Sequence, residues 1–330
     1  GCASQAIELD DTYVEAHLTR ARLLQKTGND EEAVNSALKA VEIDSDYDEA
    51  WLFLSGMAGR LQRYQDAESW AEKAVSLLPD SADANTNLGS ARYQVSKYAE
   101  AEVSYRRALD LQPGHFQAEL GLAKTVAAQN RFEEAARLLA PVLQLEPRHS
   151  DALDCLANCR LRLGNEVEAQ RILEQVIKES PDYIHSYVHL ANLYEQRGDY
   201  LQAINILKQA KNIAKDPLDV LGALAKLYHE YGMQPQAIEA CEEALAVDAK
   251  NTVARFFRAL AIADSNRYEE ALAELRALQA DFPDESKILG AQAGILERLG
   301  EYEKAKAIVK QFTDKGNVPA GIVNIYARLC

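Results

Sequence analysis

The sequence predicts an all-α chain built by repeating one helix–turn–helix unit, and three observations predict it. The 330 residues align on themselves in rows of 34, starting at Val14, without an insertion. Two columns of that alignment hold only small residues. A third, lying between them, is rich in glycine and asparagine, and prolines recur near the row ends.

The rows are 14–47, 48–81, 82–115, 116–149, 150–183, 184–217, 218–251, 252–285 and 286–319. The first helix of each row carries a small residue at its eighth position: Ala21, Ser55, Gly89, Ala123, Ala157, Ala191, Ala225, Ala259 and Ala293. The second helix carries alanine in every row: Ala33, Ala67, Ala101, Ala135, Ala169, Ala203, Ala237, Ala271 and Ala305. Small residues at two fixed points let two helix axes approach closely, and a larger side chain there would overpack the contact at about 1–3 kcal/mol.

Between the helices stands a turn residue: Gly28, Gln62, Ser96, Asn130, Gly164, Gly198, Gly232, Asn266 and Gly300. Most of these are the residue types that tolerate the left-handed conformation ending a helix. Two residues later comes a mostly aromatic column, Tyr64, Tyr98, Phe132, Tyr200, Tyr268 and Tyr302, able to wedge into the bend. Pro79, Pro113, Pro147, Pro181 and Pro283 then stop the second helix. Pro235 falls at a helix start, where proline is tolerated; Pro141 falls inside a second helix and predicts a local kink.

This pattern resembles the tetratricopeptide repeat (TPR) family. Row three shows it in Leu88-Gly89, Tyr98, Ala101, Ala108 and Pro113, and row two adds the family's tryptophan as Trp51. The family's tyrosine of the first helix remains as Tyr194 and Tyr228. The resemblance covers essentially the whole chain. It implies a right-handed α-α superhelix, a single TPR solenoid over 1–330, with nine full repeats. Residues 1–13 are the tail of a partial repeat, since Ala6-Ile7-Glu8-Leu9-Asp10 parallels Ala108-Leu109-Asp110-Leu111-Gln112. Residues 320–330 form another, with Ile322, Ile325, Tyr326, Ala327 and Leu329 as a first helix. Neither end carries an evident polar cap. The expectation is a piece of a longer protein, with self-association through the uncapped ends as a further expectation.

Composition narrows the function classes. The chain is 48% hydrophobic and 26% charged, with nine prolines and sixteen glycines, which describes an ordered chain. The formal net charge of −15 repels phosphate backbones, so no nucleic-acid binding is expected. No apolar run approaches the ~18–20 residues that cross a bilayer, so no membrane insertion is expected. Five cysteines, Cys2, Cys155, Cys159, Cys241 and Cys330, form no disulfide framework, and a reducing compartment, the cytoplasm, is the simple reading.

No constellation suggests catalysis. His17, His115, His149, His185, His189 and His229 are scattered. No nucleophile sits in a recognisable elbow, and no glycine-rich phosphate loop stands apart from the turn column. Cys155 and Cys159 share a helix face, but a zinc site needs three or four ligands, so buried small hydrophobes are the better reading. No enzyme activity, metal or cofactor is expected.

The resemblance implies that first helices line a concave groove, reached by positions 2, 5, 6, 9, 12 and 13 of each row. Position 9 reads Lys124, Asn158, Asn192, Lys226 across rows four to seven, with Arg162 and His189 directed to the same channel. Amides can hydrogen-bond an extended peptide backbone, and lysines offer point charges to carboxylates. These six residues are the candidate peptide-binding or partner-binding set. Position 5 carries Leu18, Leu52, Leu120, Val188 and Phe256, which with Phe53 and Phe257 suit either apolar pockets or helix packing. Acids at position 2, Glu15, Glu49, Asp83, Asp151 and Asp219, are explained by the helix dipole.

No row joins the lysine at position 5 and asparagine at position 9 of chaperone-binding relatives. The position-6 asparagine ladder of sugar-transferase superhelices survives only as Asn87. The expected function is a protein–protein interaction scaffold or adaptor that binds a protein or peptide in the groove. The alternative is a substrate-recruiting arm of a larger enzyme, such as a transferase, with its catalytic domain outside this chain.

Overall fold

A computed structural model describes residues 2–61, 63–283 and 285–314, and every regular element among the described residues is helical. A short helix, α1 (Cys2–Leu9), precedes the pairs α2 (Val14–Lys26) with α3 (Asp30–Ile43), α4 (Asp48–Ala58) with α5 (Tyr64–Leu77), α6 (Ala82–Gln94) with α7 (Tyr98–Leu111), and α8 (Phe116–Ala128) with α9 (Phe132–Leu145). The series continues as α10 (Ser150–Arg162) with α11 (Glu166–Glu179), α12 (Ile184–Gln196) with α13 (Tyr200–Ile213), α14 (Leu218–Glu230) with α15 (Gln234–Val247), α16 (Thr252–Asp264) with α17 (Tyr268–Asp281), and α18 (Ser286–Arg298) with α19 (Tyr302–Asp314). The chain divides within α11 into two compact units, Gly1–Ile172 and Leu173–Cys330. The expected terminal first helix at Ile322–Leu329 lies outside the described residues, as does the turn residue Gln62.

The hairpins close for the reason the small columns suggest. All nine column alanines of the second helices are buried, as are the nine small residues of the first helices. Eight of the turn residues take positive φ: Gly28 at +80°, Ser96 at +61°, Asn130 at +62°, Gly164 at +81°, Gly198 at +80°, Gly232 at +77°, Asn266 at +63° and Gly300 at +76°. Ser96 is the costly member, since its Cβ crowds the backbone in that conformation. Each aromatic of the next column is the first residue of its second helix, from Tyr64 to Tyr302. Helices α5, α7, α9, α11 and α17 all end two residues before a proline. The kink expected at Pro141 does not divide its helix: α9 runs through that proline from Phe132 to Leu145.

Helix starts explain several polar residues. Ser81 Oγ accepts a hydrogen bond from the Ala84 amide at 3.2 Å, and Asn251 Oδ1 accepts one from Ala254 at 2.9 Å. His115 and His149 do the same through Nδ1, from the amides of Ala118 and Ala152, both at 3.3 Å. These side chains satisfy amides that a helix start leaves unpaired. Glu15, Glu49, Asp83, Asp151 and Asp219 each lie in the first turn of a first helix, where the macrodipole favours negative charge by about 0.3–1 kcal/mol.

Within each unit the core lies between helix pairs. Leu18, Leu54, Met57 and Trp70 anchor it at the start of the first unit, and Tyr105, Leu122 and Val126 further on. In the second unit Leu207, Leu221, Leu224 and Tyr228 form one cluster and Leu275, Ile288 and Leu296 another. Among the described residues, second helices pack chiefly on first helices, with ion pairs such as Arg106 on α7 to Glu134 on α9 at 3.1 Å joining neighbouring second helices. First helices also touch the next first helix: α4 on α6, α6 on α8 and α8 on α10 in the first unit, and α12 on α14, α14 on α16 and α16 on α18 in the second. In each unit the first-helix side is therefore the tighter one, a continuous face lined by the exposed positions of those helices.

Candidate partner-binding face

In the first unit, Lys124 projects from α8 and Asn158 and Arg162 from α10. Lys124 Nζ is bound to Asp151 Oδ2 at 2.6 Å, so the charge it would offer a partner is already matched. Asp151 therefore serves two purposes, dipole partner of its own helix and counter-ion to the preceding one. Glu49 repeats the arrangement with Arg22 at 2.8 Å. Asn158 is exposed and makes no hydrogen bond among the described residues. Arg162, also exposed, stacks its guanidinium over the Phe132 ring with 5.1 Å to the centroid.

In the second unit, His189 and Asn192 lie on α12 and Lys226 on α14. His189 is half-buried and Asn192 is exposed, and Asn192 makes no hydrogen bond among the described residues. Lys226 Nζ contacts Glu195 Oε1 at 2.7 Å and Glu230 Oε1 at 3.8 Å. Burial works against its charge, but the hydrogen bond it donates to Glu195 and the two carboxylates hold its pKa above the ordinary lysine value. Burial and the hydrogen bond with Glu195 push the Glu230 carboxyl up. The face is thus charge-balanced or acidic around each lysine, and the amides are its unspent hydrogen-bonding groups.

The apolar positions divide. Leu18 and Leu120 are 1% and 4% exposed and belong to the core, whereas Leu52, Phe53, Val188, Phe256 and Phe257 remain partly open. Phe256 and Phe257 meet edge to face at 5.5 Å, and His229 lies 6.1 Å from Phe257. Beside them an open cleft of 790 Å³ is lined by Leu260, Ala291 and Gly294 with His229, Asp264 and Arg298 at its edge. Asp264 there accepts from Arg298 at 2.8 Å and faces His229 Nδ1 at 3.4 Å.

A smaller depression of 270 Å³, made by residues outside the candidate set apart from Lys124, lies in the first unit, bounded by α6, α8 and the start of α10. Tyr105, from the second helix α7, reaches it between Gly89 and Gly121. A Cβ on Gly121 would stand 2.4 Å from the phenol carbons Cε1 and Cζ, and one on Gly89 would stand 2.9 Å from the ring. The signal was available: Tyr105 is the lone aromatic in a column otherwise filled by Ala37, Ala71, Leu139, Leu173, Leu207, Cys241, Leu275 and Val309. A helix-interior glycine follows it in the next row.

Three cysteine side chains are described, those of Cys155, Cys159 and Cys241, and the hydrogen bond with Cys155 holds the buried Cys159 thiol below its ordinary value. The hydrogen bond between Cys155 and Cys159 and its burial push the Cys155 thiol far up, and burial pushes Cys241 to about 12. Among the described residues no three His, Cys, Asp or Glu side chains group where they could hold a metal ion. No helix among them is long and apolar enough to cross a membrane.

Two family profiles, each described as a tetratricopeptide repeat, match the chain. One covers residues 5–85 and the other 92–159, 127–182, 160–227 and 228–295. A solved tetratricopeptide repeat protein from Parabacteroides merdae ATCC 43184 is similar at 17% identity and TM-score 0.63, over 76% of this chain and 98% of that one. The APC/C hetero-tetramer Cut9-Hcn1 is similar at 17% identity and TM-score 0.60, over 87% of this chain and 56% of that one. A thermophilic TPR protein of Thermus thermophilus is similar at 23% identity and TM-score 0.50, over 55% of this chain and 99% of that one. At these identities the likeness shows the fold. No curated protein matches the chain.

Proposed function

The chain belongs to the tetratricopeptide repeat family, whose members generally mediate protein–protein interactions, and from that premise we propose that it is a non-catalytic scaffold whose first-helix face holds an extended peptide segment of a partner protein. The observation that carries this reading is one exposed, unpaired amide at the same repeat position in each unit, Asn158 in the first and Asn192 in the second. A carboxamide presents one acceptor and two donors, which matches the carbonyl and N–H of a peptide backbone. Lys124, Arg162, His189 and Lys226 flank these amides as orienting groups, the lysines acting together with their carboxylate partners. A preformed helical face needs little rearrangement to bind. The net charge of −15 directs the choice of partner toward neutral or basic segments and away from phosphate backbones.

The test is a display selection of random short peptides on the purified 330-residue chain, followed by fluorescence anisotropy with the recovered peptides. Asn158→Ala and Asn192→Ala each remove a hydrogen-bonding pair, and peptides docked on the corresponding unit should bind about tenfold more weakly. Affinities indifferent to both substitutions would remove the first-helix amides from the binding face.

A further inference from the structure

The depression between α6 and α8 is built from both helices of a hairpin. Its floor is contributed by a second helix. The Tyr105 ring passes between two glycines, and its phenol reaches the depression on the first-helix face, which Ser90 also lines. Tyr105 is only 4% exposed, and burial pushes its phenol well above the ordinary tyrosine value, so the group stays protonated and can donate. Leu120 and Thr86, both buried, complete a floor that is largely apolar.

The rim is different. Asn87 spends its amide nitrogen on Ser55 Oγ at 2.9 Å and Leu52 O at 3.4 Å, which leaves its carbonyl oxygen as an acceptor. Gln94 and Gln117 are exposed and make no hydrogen bond among the described residues. Three carboxamides therefore surround the mouth with donors and acceptors. One end is closed by Lys124 and Asp151, a pair at 2.6 Å whose charges cancel.

These features define the occupant. The volume of 270 Å³ falls below the ~300–1,000 Å³ of small-molecule sites and suits one side chain. A lysine, arginine or carboxylate entering it would lose water without meeting an uncancelled counter-charge. An aliphatic side chain would cover the amides without bonding them. A ring with a single polar tip satisfies floor and rim together. We propose that this depression is the seat of a tyrosine side chain of the bound partner segment, with its ring over Tyr105, Leu120 and Gly121 and its hydroxyl among the carboxamides of Asn87, Gln94 and Gln117.

The proposal rests on the groove reading above, and the same peptide selection separates the two. Among the recovered peptides, one class should carry tyrosine at a fixed position. Replacing that tyrosine by phenylalanine should weaken binding several-fold, and replacing it by lysine or glutamate should abolish it. On the protein, Ser90→Trp fills the mouth from an exposed site on α6, and the same class should lose at least tenfold in affinity. Gln117→Leu, which leaves the cavity open, should give a smaller loss confined to tyrosine-bearing peptides. Circular dichroism of both variants checks that the helices are intact.

A charged or aliphatic residue enriched at the position that responds to Ser90→Trp would overturn the proposal. So would binding indifferent to Ser90→Trp but sensitive to Asn158→Ala or Asn192→Ala, in which case the groove reading survives alone. Failure to recover any peptide would defeat the groove reading and the tyrosine seat with it.

Discussion

Gly121→Ala sets two physical effects against each other, and the structure decides between them. In an ordinary helix interior the change stabilises by about 0.5–1 kcal/mol, because alanine loses less backbone entropy than glycine. Here the new methyl would lie 2.4 Å from Cε1 and Cζ of Tyr105 and 2.7 Å from its hydroxyl oxygen. Ordinary carbon contacts lie near 3.5–4.0 Å, so the ring must retreat by about 1 Å or more. Its other side is closed by Gly89, where the ring already stands 2.9 Å from the place a Cβ would take.

Overpacking of this kind costs about 1–3 kcal/mol and outweighs the propensity gain, for a net loss of about 1–2 kcal/mol. Hydrogen exchange read by mass spectrometry is the suitable assay, because a repeat array opens locally and one global midpoint would blur the effect. Peptides from α6, α7 and α8 should exchange faster, while those from α16 and α17 stay unchanged. The double variant Tyr105→Leu with Gly121→Ala should recover the protection, since leucine stands at the equivalent place as Leu139 in the next row. Slower exchange in Gly121→Ala alone would refute the placement of the phenol between the two helices.

Three further outcomes follow from other contacts. Ser96 holds φ +61° at the position where most rows have glycine, so Ser96→Gly should stabilise the first unit by about 1 kcal/mol, read as a higher denaturation midpoint. Burial would raise the Glu102 carboxyl, but hydrogen bonds from Arg106, Gln129 and Arg131 at 2.7–2.8 Å outweigh it and hold its pKa below the ordinary value. Its stabilising contribution is therefore present above the unfolded-state value and lost as pH falls through the folded one. Glu102→Gln should cost about 1 kcal/mol at neutral pH, and the gap in urea melts should close only as pH falls below the ordinary glutamate range. Cys241, fully buried and pushed to about 12, should resist iodoacetamide at about pH 8 in the native chain and react only once denatured.

The repetition was legible because each helix hairpin is a local object. The small residues, the turn residue and the stopping proline all lie within one row, so their spacing specifies the unit without knowledge of its neighbours. Ser96 shows the margin of that rule: the turn geometry persists there although the residue type argues against it, since the closed hairpin on either side holds it. His115 and His149 looked scattered because histidine is an uncommon helix cap. Their role became visible only when Nδ1 was seen to accept from the third amide onward.

The candidate face divided along the same line. The row alignment alone placed Asn158 and Asn192 at one repeat position, and the exposure of both amides follows from helical periodicity. It gave no warning that Lys124 and Lys226 are matched by Asp151 and Glu195, because those pairs join residues 27 and 31 positions apart on neighbouring first helices. Nor did it join Tyr105 to Gly121. The sequence by itself determined the helices, their turns and the phase in which they recur, through interactions that close within a single hairpin. Tertiary structure alone decided which charges on the candidate face are matched by a carboxylate and which ring forms the floor of its depression, because both depend on how one hairpin is set against the next.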